Sequence, residues 1–159
     1  MISTYAVRDG RLVEKEDGEV VVASHPSPEE KNILEEKYLV GSSDIHAAVN
    51  PHEVGRMEAE DGNVFIIVKA PKHYSENEKM RFKISSLGIF LANGRLIVVS
   101  RDDAPLFDHR DHHPVSGTHG VLIKIIYTTI RHYSIFFLGM ISIGAAIFFF
   151  IRRSERIWR

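Results

Sequence analysis

The chain has 159 residues, of which 26% are charged and 44% hydrophobic, enough for one compact soluble domain with a real core. A formal charge of -1 without any long Lys/Arg block excludes a grip on nucleic acid through its phosphate backbone. The absence of cysteine excludes disulfides, thiolate metal sites and cysteine nucleophiles, and with them redox chemistry.

Met1 to Gly10 includes Arg8 and Asp9 and lacks the apolar run of a signal peptide, so no export signal is expected there. Met1 to Val7, Leu12 to Val13 and Val20 to Ala23 read as short strands separated by the turn pairs Asp9-Gly10 and Asp17-Gly18. Ser27-Pro28-Glu29-Glu30 combines a capping box with proline at the first helical position, which predicts a helix burying Ile33, Leu34 and Tyr38. A second short helix is expected over Asp44 to Val49, capped by Ser43 or Asp44 and stopped near Pro51.

Gly55 to Glu60, Val64 to His73, Met80 to Leu91 and Arg95 to Ser100 are strand-like runs joined by Asp61-Gly62-Asn63, Glu76-Asn77 and Asn93-Gly94. They predict an antiparallel meander. Val64 to Val68 and Leu96 to Val99 are apolar at every position, so helices are expected on both faces of the sheet. One candidate helix is Pro105 to His113. The stronger one is Thr118 to Tyr133, with a stripe of Val121, Leu122, Ile125, Ile126, Ile130 and Tyr133. Val115 to Thr118 reads as a flexible joint before it.

Ser134 to Ile151 is a run of 18 residues without a charge, close to the roughly 20 residues that cross about 30 Å of hydrocarbon. Phe148 to Phe150 followed by Arg152 and Arg153 suits the exit from a bilayer, and Trp158 suits the headgroup region. Gly139, Ser142 and Ala146 make one side of that helix small, which permits close approach of another helix. The fold class expected is therefore α/β: a mixed, largely antiparallel sheet with helices packed on its faces, followed by one transmembrane helix. The division is a soluble domain over 1–133, a span over 134–151 and a basic tail over 152–159.

Few residues suggest site chemistry. In Asp108-His109-Arg110-Asp111-His112-His113, His109 and His113 would share a helix face and form a candidate metal pair, although zinc ordinarily asks for three or four convergent ligands. Ser85, Ser86, Ser100 and Ser116 lack a nucleophile-elbow context, and no glycine-rich phosphate loop follows a strand. An enzyme is not expected.

Taken in order, the Ser-Pro-Glu-Glu helix, Asp44-Ile45-His46, Asn50-Pro51-His52-Glu53-Val54-Gly55-Arg56-Met57-Glu58 and the strand Val64-Phe65-Ile66-Ile67-Val68-Lys69 resemble the cytoplasmic domain of CorA-type magnesium transporters. Lys83 to Leu91, Asn93-Gly94, Leu96 to Ser100 and the helix end Ile126 to Tyr133 extend the resemblance over residues 1 to 133. It implies a divalent-cation transporter relative with Mg2+ as transported or regulatory ion, a cytoplasmic domain, membrane lipid around the span, and a pentameric assembly. The partner subunits would be further copies or a full-length paralogue. Glu76 and Glu78, in the hairpin matching the family's regulatory magnesium loop, become candidate metal ligands by that resemblance. The family's long stalk helix, first span and Gly-Met-Asn motif have no counterpart, because Gly139-Met140 is followed by Ile141. The uncharged run after Tyr133 is similar to the family's second span. An internally shortened transporter that does not conduct alone is the resulting expectation, with a membrane-tethered cation-sensing or interaction module as the alternative.

Orientation is contested within the sequence. Arg152, Arg153, Arg156 and Arg159 place the C-terminal side of a single span in the cytoplasm by the positive-inside rule, whereas the resemblance places the preceding domain there.

Overall fold

The computed structural model describes residues 1–60, 62–71, 84–102 and 114–157. The N-terminal part forms β1 (Ile2–Arg8), β2 (Arg11–Glu14) and β3 (Val20–Ser24). Two helices follow, α1 (Pro28–Glu36) and α2 (Ser42–Val49). A meander of β4 (Arg56–Glu60), β5 (Asn63–Pro71), β6 (Ile84–Ala92) and β7 (Arg95–Ser100) leads to the long helix α3 (Gly117–Ile157).

The turn chemistry acts as its sequence requires. Asp9 and Gly10 between β1 and β2 have φ of 48° and 75°, and Asn93 and Gly94 between β6 and β7 have 51° and 74°. Two successive positive φ values give the turn whose twist matches paired strands, and Asp, Asn and Gly tolerate that region best. α1 starts on the predicted capping box: Ser27 Oγ accepts from Glu30 N at 3.2 Å while Glu30 Oε2 accepts from Ser27 N at 2.9 Å. Leu34 and Tyr38 are buried, but Ile33 is exposed, since it lies on the side of the helix away from the sheet. α2 starts earlier than expected. Its N-cap is Gly41 without a side-chain cap, and Ser43 and Asp44 fall inside the first turn, where Asp44 still meets the positive helix end favourably.

The seven strands form one sheet in the order β2-β1-β3-β7-β6-β5-β4. All neighbours are antiparallel except β3 and β7, which run parallel from Val20↔Leu96 to Ser24↔Ser100. This pair joins the N-terminal strands to the meander. Alternate residues of the central strands then serve opposite faces. Val21, Ala23, Ile97 and Val99 pack with Ile45, Ala47 and Ala48 of α2, together with Leu34, Phe65 and Phe90. Val20, Leu96, Val98, Leu87 and Ile89 pack with Val121 and Ile125 of α3. Cover on both faces explains why Leu96 to Val99 has no polar residue. In β5 Phe65 and Ile67 are buried, with Val64, Ile66 and Val68 half-buried beside the edge strand β4.

Two expectations about α3 change. The joint at 115–118 is anchored rather than loose, because Val115 is buried and its N–H donates to Gly10 O at 2.9 Å. Within the predicted stripe Val121 and Ile125 are buried, whereas Ile130 is exposed and Thr129 takes the buried position. α3 crosses 133/134 without a break. The candidate helix over Pro105 to His113 lies outside the described residues.

Candidate functional site

The functional element is built where α3 leaves the sheet. Thr129 closes its hydroxyl internally on Ile125 O at 2.9 Å. One turn later Tyr133 donates its hydroxyl to Lys69 O at 2.8 Å, joining α3 to β5. Every side chain described from Ser134 to Phe148 is exposed. Over Gly117–Phe148 the helix is long and apolar enough to cross a membrane, and its apolar window is buried against nothing in the chain. A core helix of that composition would be covered. Ser134 and Ser142 return their hydroxyls to Ile130 O and Leu138 O at 3.0 and 2.9 Å, so each is satisfied within the helix.

A polar cluster stands at the same end of the sheet. Lys69 pairs with Ser86 across β5 and β6, and its ammonium donates to Ser86 Oγ at 2.7 Å and to Pro51 O at 2.9 Å. Ser86 Oγ in turn donates to Asn50 O at 2.7 Å. These bonds satisfy two carbonyls just beyond α2, that of Asn50 with a hydroxyl and that of Pro51 with a cation, near the negative end of the helix. Nearby, Ser85 Oγ donates to Asp102 Oδ2 at 2.5 Å, tying the end of β7 to the start of β6. The network therefore runs from the α2 terminus through Lys69 to Tyr133 and the apolar helix.

Charge elsewhere is used to hold the fold. Arg56 pairs with Glu53 and Glu58 and lies over the Phe65 ring at 5.5 Å. Asp17 binds Arg95 at 3.1 Å and Lys37 at 3.4 Å, and these hydrogen bonds, that with Arg95 foremost, hold its carboxyl below the usual range. Both cations also face the Tyr38 ring.

The candidate ligands Glu76, Glu78, His109 and His113 all lie outside the described residues. Among the described residues no group of three or more His, Asp or Glu side chains could hold a metal ion. The sequence shows Ser86 as a serine without nucleophile context, Tyr133 as part of a helix stripe and Lys69 as the end of a strand, and does not bring the three together. Their one signal was polarity at the end of apolar strands and of an apolar helix stripe, which pattern alone reads as an edge.

The sequence matches no protein-family model and no curated protein. Solved structures do match. The CorA magnesium transporter of Methanocaldococcus jannaschii superposes with a TM-score of 0.65 at 20% identity, covering 88% of this chain and 47% of that one. The cytoplasmic domain of ZntB from Vibrio parahaemolyticus gives 0.61 at 13% identity, over 82% of this chain and 59% of its own. The full-length CmaX protein gives 0.71 at 8% identity, over 87% and 47%. The chain thus spans about half the length of the full-length proteins it matches and has the fold of the CorA and ZntB cytoplasmic domains.

Proposed function

We propose that this chain is a CorA-type divalent-cation transporter relative that acts within a membrane assembly and does not conduct ions alone. The observation carrying this reading is the continuity of α3, which docks on a CorA-like sheet and then runs bare and apolar for the length of a bilayer crossing. Mg2+ is the proposed cargo or regulator, and the surrounding subunits are copies of this chain or a longer paralogue. A conducting path for a hydrated divalent ion needs several subunits lining it with oxygens. Among the side chains described from Ser134 to Phe148, the oxygens are the hydroxyls of Ser134 and Ser142, both turned back onto the helix.

Magnesium flux into liposomes, with the chain reconstituted alone and together with a full-length CorA-type protein, tests the proposal. Silence alone with altered flux and co-purification in the mixture is expected. Independent conduction overturns the claim that it needs partners. A magnesium-dependent rise in thermal stability, with no effect on flux in either setting, supports instead a tethered cation-sensing module. Protease protection in sealed vesicles reports which side holds the sheet, and the cytoplasmic side is proposed.

A further inference from the structure

We propose that the groove beside α2, at the end of the sheet from which α3 departs, receives the phosphate headgroup of an anionic phospholipid, with Arg101 as its principal ligand. This rests on the reading of α3 as a membrane span.

The groove has a volume of about 550 Å³ and is open, lined among others by Ser43, His46, Asn50, Glu53, Arg56 and Arg101. Glu53 is committed to Arg56. Arg101 is exposed on the groove wall, and a guanidinium offers a planar fork of donors that matches an incoming phosphate. Arg101 follows Ser100, the last residue of β7, and lines the groove together with Asn50, whose carbonyl accepts from Ser86, the partner of Lys69 on β5. Lys69 is the residue whose carbonyl holds Tyr133, the last residue before the uncharged run. Arg101 therefore lies at the end of the sheet where α3 enters its apolar stretch, the end that faces the headgroups when the helix spans. The ammonium of Lys69, bonded to a carbonyl and a hydroxyl, adds positive charge at the same end. Arg131, exposed on α3 two residues before Tyr133, adds more.

The openness of the groove favours a tethered anion over a free one. A free phosphate requires an enclosing set of donors to offset its hydration. A headgroup is already concentrated at the surface by the bilayer, and one bidentate arginine beside other cations suffices to select its charge.

The test uses the full chain in mild detergent with a dye on Ser43→Cys, unique because the protein has no cysteine of its own. Short-chain phosphatidylglycerol, short-chain phosphatidylcholine and inorganic phosphate are titrated separately, and thermal stability of the unlabelled chain is followed in parallel. Phosphatidylglycerol is expected to change the dye signal and raise stability, phosphatidylcholine to do neither, and Arg101→Ala to weaken the response about fivefold, the factor for one basic residue at an anionic surface. Equal response to inorganic phosphate overturns the lipid assignment. An Arg101→Ala response equal to that of the parent, in a chain that melts cooperatively, overturns the site. Alkaline extraction from vesicles separately reports insertion: a chain that inserts without headgroup selectivity refutes the groove alone, and one that fails to insert refutes the span on which it rests.

Discussion

Gly88 in β6 sits directly under Ala48 of α2. A methyl group added at position 88 would lie 2.3 Å from Ala48 Cβ and 3.2 Å from its Cα. Carbon atoms in contact ordinarily keep about 3.5–4.0 Å, so Gly88→Ala requires α2 to rise by more than ~1 Å. That displacement works against the burial of Ile45, Ala47 and Ala48 and loosens the Lys69 and Ser86 bonds to the α2 terminus. Overpacking of this kind costs about 1–3 kcal/mol, and the upper half of that range is expected because the obstacle is helix backbone as well as side chain. Ala48→Gly alone should cost about 1 kcal/mol through helix propensity. The double variant removes the collision, so its loss should stay near ~1 kcal/mol instead of the additive ~3–4, a coupling of about 2 kcal/mol. Urea denaturation of the full chain in mild detergent, followed by circular dichroism, measures all four proteins. Additivity within ~0.5 kcal/mol, or a Gly88→Ala protein as stable as the parent, would show that α2 does not rest on β6 as described.

Tyr133→Phe should lower stability by about 1 kcal/mol, one hydrogen bond to Lys69 O, and increase amide exchange at the docked end of α3 while leaving the exchange of β1 to β3 unchanged. Acidification offers an independent check. Glu30 is held below the usual carboxylate range first by the Ser27 N–H and next by the amino terminus, and Glu19 by the Val7 N–H. Because both folded-state values are depressed, their stabilisation is complete above the unfolded carboxylate pKa of ~4.3 and is lost as pH falls through the lower folded values. Melting temperature should therefore fall on going from pH 5 to pH 3, and less steeply in Glu30→Gln, whose starting stability is lower. A parallel fall in both proteins would count against the capping box as a source of acid sensitivity.

Local chemistry announced much of this architecture. Ser27, Pro28 and Glu30 start a helix through bonds that span only three residues, and Asp9-Gly10 and Asn93-Gly94 turn a chain through their own backbone freedom. Short hairpin connections then imply the antiparallel meander. The site was less legible. Lys69 and Ser86 are 17 residues apart and meet Asn50 and Pro51 only across a layer, while Glu76, Glu78, His109 and His113 fall outside the described residues.

By itself the sequence determined the start of α1, the turns at Asp9-Gly10 and Asn93-Gly94, the strands of the described sheet, and that an apolar run follows Tyr133, since each depends on residues within a turn or two of one another. Only the tertiary structure decided the parallel union of β3 with β7, the seating of Ala48 on Gly88 and the bond of Tyr133 to Lys69. Those arrangements join segments far apart along the chain, and they are selected by how two faces of one sheet are filled at once, a property of the packed whole that no local pattern encodes.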